Sequence, residues 1–223
     1  MTAQQSEIKK TWQIFDLYND SVVEIRAIEP NGAKLKPRAK NLVYRASNFD
    51  CIDDLKQAIE NEALQLNAFG YNSYIVMNQI STNFHGDSVS DKDISAFTTL
   101  LIDIDRAGDT SKPASDEEID AAEKLGDEVE AYLTKREFPK PIRTMSGNGA
   151  HLYYKLDFFP NNEQTTQTIK SLLNHLASKF NNSIVEIDTS VFNASRITKM
   201  PGTIARKGIE SEGRPYRMAK VHD

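Results

Sequence analysis

Thr99-Leu100-Leu101-Ile102-Asp103-Ile104-Asp105-Arg106 is the stretch that most narrows what this chain can become. Thr99 to Ile102 are apolar or β-branched, a run suited to a strand buried in a sheet. Side chains alternate between the two faces of a strand, so Asp103 and Asp105 share one face while Ile104 anchors the other. Two carboxylates at the end of a buried strand carry a heavy desolvation cost unless something compensates them. A divalent cation would do so, because hard oxygen ligands suit Mg²⁺ and Mn²⁺. The same Asp-x-Asp pattern also serves as a solvated strand edge or a turn cap, and the rest of the chain has to decide between these uses.

With 223 residues, the chain has room for one substantial domain or two small lobes. Its 39% hydrophobic and 26% charged residues give the balance of a soluble folded protein. No apolar run approaches the roughly 18–20 residues of a bilayer-spanning helix, and Met1 to Glu7 lack the pattern of a secretion signal. Cys51 is the one cysteine, so neither an internal disulfide nor a cysteine-built zinc site can form, which fits a cytoplasmic setting. Cys51 is expected to be a small core residue, and residues 1–10 to fray. The net charge of −5 does not advertise nucleic-acid binding, but its distribution is uneven. Residues 115–137 hold nine acidic against three basic residues, whereas Lys34 to Arg45 hold five basic and no acidic ones. From Val191 to Asp223, seven basic residues face three acidic ones. Two basic segments and one acidic helix can make an asymmetric surface or ordinary solvated charge.

In chain order, Val22 to Ile28 alternates as a half-buried strand, Glu29-Pro30-Asn31-Gly32 turns, and Asn41 to Ala46 returns to complete a hairpin. A helix capped at Ser47, Asn48 or Asp50 runs to about Leu66, with Ile52, Leu55, Ile59, Ala63 and Leu66 at helical spacing. Ser73 to Ile80 reads as a strand ending near Asn78, and residues 83–93 as a polar loop. After the Asp-x-Asp strand come a loop over residues 107–113 and an acidic helix from Ser115 or Asp116 to about Lys135, with Ile119, Ala122, Leu125 and Val129 inward. Ile142 to Met145 and Ala150 to Leu156 read as strands. A third helix follows Asn161 or Asn162, with Ile169, Leu172, Leu173, Leu176 and Phe180 as its stripe. Ile184 to Asp188 and Arg196 to Met200 are short strands. The class is α+β (mixed α/β), with two lobes and a cleft between them, dividing near residue 95.

Three later features bear on the aspartates. Ser146-Gly147-Asn148-Gly149-Ala150-His151 joins two strands; its glycines can bring backbone N–H groups close to an anion, with Ser146 and His151 adding donors. It also reads as an ordinary hairpin loop with a satisfied histidine. Asp188 ends an apolar strand and could add a third carboxylate or cap the next turn. Arg196 follows on a short strand, and a guanidinium grips phosphate oxygens in two places at once. Such a set suits phosphoryl or nucleotidyl transfer, in which metals hold nucleophile and leaving phosphate and cations neutralise the triphosphate.

In this order and spacing the sequence resembles the archaeo-eukaryotic primase superfamily, in its phage and plasmid primase-polymerase branch. The resemblance rests on Leu101 to Asp105 for the Asp-x-Asp strand and Ser146 to Tyr154 for Ser-Gly-x-Gly-x-His with its aromatic strand. Ile187-Asp188 matches the apolar-Asp pair, and Ser195 to Thr203 matches the Ser-Arg…Pro-Gly-Thr continuation. Matches span about residues 20 to 207. The resemblance implies one catalytic domain over 1–223, with an N-terminal α/β lobe (about 1–95), a lobe resembling an RNA-recognition motif (about 96–210) and a tail over 211–223. It implies a two-metal Mg²⁺ or Mn²⁺ site on Asp103, Asp105 and Asp188 and no zinc. It also implies that Ser146, Gly147, Gly149, His151 and Arg196 meet nucleotide phosphates, with His151 also catalytic. The implied partners are NTP or dNTP, a single-stranded template or primer-template, and a helicase or helical accessory domain, with no membrane. Lys34–Arg45 and Arg206–Lys220 are the candidate template contacts. Two alternatives stay open: a non-catalytic nucleic-acid-binding module, and a rolling-circle-type replication nuclease. The nuclease is disfavoured by the scatter of His85, His151, His175 and His222, and the module by Tyr153 and Tyr154, which alternate across a strand instead of sharing a stacking face.

Overall fold

The Asp-x-Asp strand is the longest strand of the fold and the middle of its larger sheet. In a computed structural model of the protein, which describes residues 1–109 and 111–222, it runs as β5 (Ile94–Arg106). Thr110, within the loop expected over 107–113, and Asp223, the end of the expected tail, lie outside the described residues.

The chain opens with two short helices, α1 (Ala3–Ile8) and α2 (Thr11–Ile14), then β1 (Val22–Ile28), β2 (Ala39–Arg45), α3 (Ile52–Ala68), β3 (Asn72–Val76) and β4 (Gln79–Ile80). After β5 come α4 (Asp116–Thr134), β6 (Ile142–Met145), β7 (Gly149–Pro160), α5 (Glu163–Phe180) and β8 (Val185–Ile187). Four short strands finish it: β9 (Ile197–Lys199), β10 (Ile204–Ala205), β11 (Arg217–Met218) and β12 (Lys220–Val221). The class is mixed α and β, and among the described residues no helix is long and apolar enough to cross a membrane.

Two sheets carry the site. The smaller has the order β2-β1-β3-β9, so β9, from late in the chain, pairs with β3 from its first third. The larger runs β12-β6-β7-β5-β4, with β8 also paired to β5. All recorded pairings are antiparallel, and Leu101, Asp103 and Asp105 lie opposite Tyr153, His151 and Gly149 of β7. Alternation then does what the pattern requires: Ile102 and Ile104 are fully buried and Ile104 packs toward Gly126 of α4, which leaves the aspartates on the opposite face. On the smaller sheet, the Ser73 hydroxyl donates to Ala63 O of α3 at 2.8 Å, so Tyr74 and Asn72 point the other way, toward the larger sheet.

Three expectations need correction. Residues 1–10 do not fray: Thr2 and Gln5 form a capping box on α1, and Ile8 is buried against the turn at Gly202. Cys51 is exposed at the N-cap of α3, its thiol 3.2 Å from Asp54, because the buried stripe starts only with Leu55. The strand expected over 73–80 is broken at Met77-Asn78. The Asn78 carboxamide oxygen accepts from the backbone of Thr98 and Thr99, its NH₂ donates to Ala194 O, and the chain passes from one sheet to the other there.

Candidate active site

A cavity of about 440 Å³ opens between the two sheets. β5 supplies Leu101, Asp103 and Asp105 to it, β7 supplies His151, β3 supplies Asn72 and Tyr74, and β9 supplies Ile197 and Lys199. Ser146, Asn148, Asp188, Arg196, Arg206 and Lys207 complete its walls. Every charged or hydroxyl side chain that the sequence nominated for the site therefore borders one space.

The two aspartates differ in surroundings. His151 Nε2 lies 3.3 Å from Asp103 Oδ1, near enough for attraction but not aligned for a hydrogen bond, so that oxygen is buried without a hydrogen-bond partner. Burial pushes the Asp103 carboxyl up, but His151, then Lys207 and Arg196, outweigh it and hold the group below its ordinary value. Asp105 accepts from Lys207 Nζ at 2.7 Å, yet burial and the adjacent Asp103 charge together raise it. His151 is itself oriented by a chain of hydroxyls: Nδ1 meets Tyr153 OH at 2.8 Å, and that oxygen meets Thr198 Oγ1 at 2.6 Å. Tyr74 stands on the opposite wall, its hydroxyl pushed up to about 12 by burial and by the charges of Asp105 and Asp103.

Asp188 sits beside Asp103 because its N–H donates to Asp103 O at 2.8 Å, continuing the β8–β5 pairing. Both of its carboxylate oxygens have partners: Ser190 N–H at 2.7 Å and Arg196 Nη2 at 3.2 Å. Among the described residues, no three His, Cys, Asp or Glu side chains converge closely enough to hold a metal alone. The residues present nevertheless fit a hard divalent ion, since Asp103 and Asp105 offer adjacent carboxylates, one with a buried and unbonded oxygen. Mg²⁺ is commonly held by one or two carboxylates, waters and substrate phosphates rather than by an all-protein cage.

The glycine loop works differently from the expected amide cradle. Ser146 Oγ accepts from Asn148 N and Gly149 N at 3.3 and 3.1 Å and donates to Gly149 O, while Gly147 N–H points at Met145 Sδ. These amides are thus engaged within the turn. Gly147 has φ +100°, and a Cβ there would strike Ala205 and come within 3.0 Å of Arg217 O. A Cβ at Gly149 would run into Ile104 O, so both glycines serve close packing beside the aspartates.

Lys207, Lys199, Arg206, Asn72 and Tyr74 border the site without having been picked from the sequence as site residues. Lys199 is buried with its Nζ on Ile204 O at 3.0 Å, and burial, aided by the like charge of Arg206, lowers it well below the ordinary lysine value. The available signal was the basic pair Arg206-Lys207, four residues past the Pro-Gly turn, which the run of basic charge assigned to template contact and not to the nucleotide site.

No protein-family profile matches the sequence, and no curated protein matches it. Solved structures do. The AEP domain of the primase-polymerase of cyanophage S-2L aligns with TM-score 0.54 and 17% identity over 98% of this chain and 89% of that one. The primase RepB' aligns with TM-score 0.53 and 11% identity over 99% of this chain, which spans only 56% of that protein's length. The polymerase domain of Mycobacterium tuberculosis Ligase D, solved in complex with DNA, aligns with TM-score 0.51 and 14% identity over 91% and 77%. The chain has the archaeo-eukaryotic primase-type fold. The acidic strand, Ser146 and Asn148 of the glycine loop, and Arg196 to Lys199 of the Ser-Arg…Pro-Gly-Thr segment border one cavity.

Proposed function

We propose that this chain is a metal-dependent primase-polymerase core that transfers a nucleotide from an NTP or dNTP to a 3′-hydroxyl under the direction of a DNA template. The observation that supports this most is the cavity between the sheets, where adjacent carboxylates and several cations face one another within a primase-type fold. The smaller sheet with α3 and the larger one with α4 and α5 are, on this reading, the two lobes, the latter resembling an RNA-recognition motif.

Asp103 and Asp105 would hold the divalent ions, with Asp188 as the third carboxylate once Arg196 turns from it to phosphate. The chemistry those ions supply is activation of the 3′-hydroxyl and neutralisation of the departing pyrophosphate. Arg196 and Lys207 neutralise the triphosphate, and each is kept in place by a carboxylate until phosphate competes for it. Ser146 borders the cavity, but its hydroxyl is engaged within the Gly147/Gly149 turn and would have to turn away from Gly149 O to reach a phosphate. His151, fixed by Tyr153 and Thr198, donates to a phosphate oxygen and keeps Asp103 ionised. Tyr74 forms the facing wall with a neutral hydroxyl. The Ile28–Asn31 edge of the cavity leads onto the β1–β2 loop, whose Lys34, Lys36 and Arg38 are exposed and suited to a template backbone. Arg214 and Arg217, by contrast, are spent on Glu118 and Asp116.

Extension of a primed DNA template with Mg²⁺ or Mn²⁺ tests the reading, comparing the wild type with Asp103→Ala/Asp105→Ala. Extension by the wild type and its loss by at least about a thousandfold in the double variant is the expected result. Undiminished extension in the variant overturns the assignment of the aspartates. Repeating the assay without primer separates priming from extension.

A further inference from the structure

β10 belongs to neither large sheet, yet its backbone is fully engaged. On one edge Ile204 and Ala205 lie opposite Met218 and Arg217 of β11. On the other edge two buried asparagines take the place of a neighbouring strand. Asn67, in α3, accepts from Ile204 N–H at 2.8 Å and donates to Ile204 O at 2.9 Å. Asn72, in β3, accepts from Arg206 N–H at 2.7 Å and donates to Arg206 O at 2.9 Å. Lys199 ties the two together, with Nζ 3.0 Å from Ile204 O and 3.4 Å from Asn72 Oδ1. Both asparagines are buried, at 1% and 7% exposure, so each carboxamide would be expensive to place there without these partners.

The next residue along is Lys207, whose ammonium meets Asp105 at 2.7 Å, and Ala205 lies against Gly147 of the glycine loop. A strand neighbour can slip in register, and a slip of one residue turns every side chain to the other face. A side-chain clamp that grips both the N–H and the C=O of one residue does not allow this. We infer that Asn67 and Asn72 are positioning residues that fix the register of residues 204–206, and thereby the reach of Lys207 into the nucleotide cavity. The inference rests on the reading of that cavity given above and adds two residues, Asn67 outside the cavity and Asn72 on its wall, that set nucleotide affinity through Lys207.

Steady-state incorporation of dATP opposite dT on a primed template with Mn²⁺ tests it in Asn67→Ala, Asn72→Ala, Lys207→Ala and Asn72→Ala/Lys207→Ala. Each asparagine variant is expected to raise KM for dATP about tenfold and to leave kcat within about twofold. Lys207→Ala raises KM by as much or more, and the double variant is no worse than Lys207→Ala alone, because Asn72 acts through that lysine. Losses that multiply in the double variant overturn the clamp while leaving the site intact. An unchanged KM in Lys207→Ala overturns its premise, and absence of incorporation by the wild type overturns the functional reading itself. Should the alanine variants fail to fold, amide exchange in the wild type decides. The N–H groups of Ile204 and Arg206 exchange slowly if clamped, and rapid exchange, comparable to residues 209–213, overturns the clamp.

Discussion

At the scale of single residues, the site is a place where charges are held against their preference. Asp105 gains 2.7 Å contact with Lys207, but burial and the charge of Asp103 weigh more, so its folded-state proton affinity lies above the ordinary aspartate value of 3.8. A carboxyl shifted this way makes a stabilising contribution at low pH that is lost as pH rises through its folded value, and at neutral pH its ionised form strains the fold. Asp105→Asn should therefore raise the melting temperature at pH 7, without divalent ions, by about 2–4 °C. A drop of that size in differential scanning fluorimetry would mean that the Lys207 pair outweighs the repulsion. The residues of this cluster were readable in the sequence where a rule of period applied. Asp103, Asp105 and Ile104 follow from strand alternation, and Asp188 and Arg196 from a second apolar run. Lys207 did not follow, because its place depends on a clamp built from Asn67 and Asn72, more than a hundred residues earlier. Nor did the inward use of the Ser146 hydroxyl, since the same serine and glycines spell both a cradle and a self-satisfied turn.

At the scale of elements, long periodic segments were the readable ones. The stripes of α3, α4 and α5, the start of α4 after Ser115 and the Asn162 cap stand in the structure as the spacing indicates, whereas α3 begins after Cys51, without a side-chain cap, and not after Ser47, Asn48 or Asp50. What escaped reading was decided by contacts distant in sequence. α1 is kept ordered by the Gly202 turn and by Glu7, which accepts from Val221 N–H at 2.7 Å. β7 runs on to Pro160 because β5 stays beside it, through an irregularity between Phe97 and Thr99. The loop after β4 is fastened in the same non-local way. Glu24 of β1, fully buried, accepts from Arg26 and from Val89 N–H, and Arg26 donates in turn to Val89 O. Glu24→Ala removes the anion and strands both donors, so it should cost about 3–5 kcal/mol in urea unfolding. A change below about 1 kcal/mol would show that the loop is held by apolar contacts such as Phe84 and Val89 instead.

At the scale of the whole molecule, two sheets share residues from both ends of the chain: β9 returns to the first, and β4 belongs with the second. The crossing points bring the cavity walls together, and no local pattern announces them. Charge follows a similar logic. The net value of −5 hides an exposed basic loop at the cavity edge, while the basic tail is largely neutralised by the acidic start of α4. Replacing Lys34, Lys36 and Arg38 together by Glu should weaken template binding at least about tenfold and flatten its salt dependence, with nucleotide affinity unchanged. Arg217→Glu should chiefly lower thermal stability; fluorescence anisotropy on a labelled single strand distinguishes the two. Tight template binding by the wild type at about 0.5 M salt would contradict this picture of a few phosphate contacts. The central claim, that Asp103 and Asp105 hold a divalent cation for an incoming nucleotide, is tested most directly by Mn²⁺ titration followed by electron paramagnetic resonance. The wild type should bind Mn²⁺ more tightly when dATP is present, and Asp103→Asn/Asp105→Asn should lose that binding; full Mn²⁺ binding by the variant would contradict the claim.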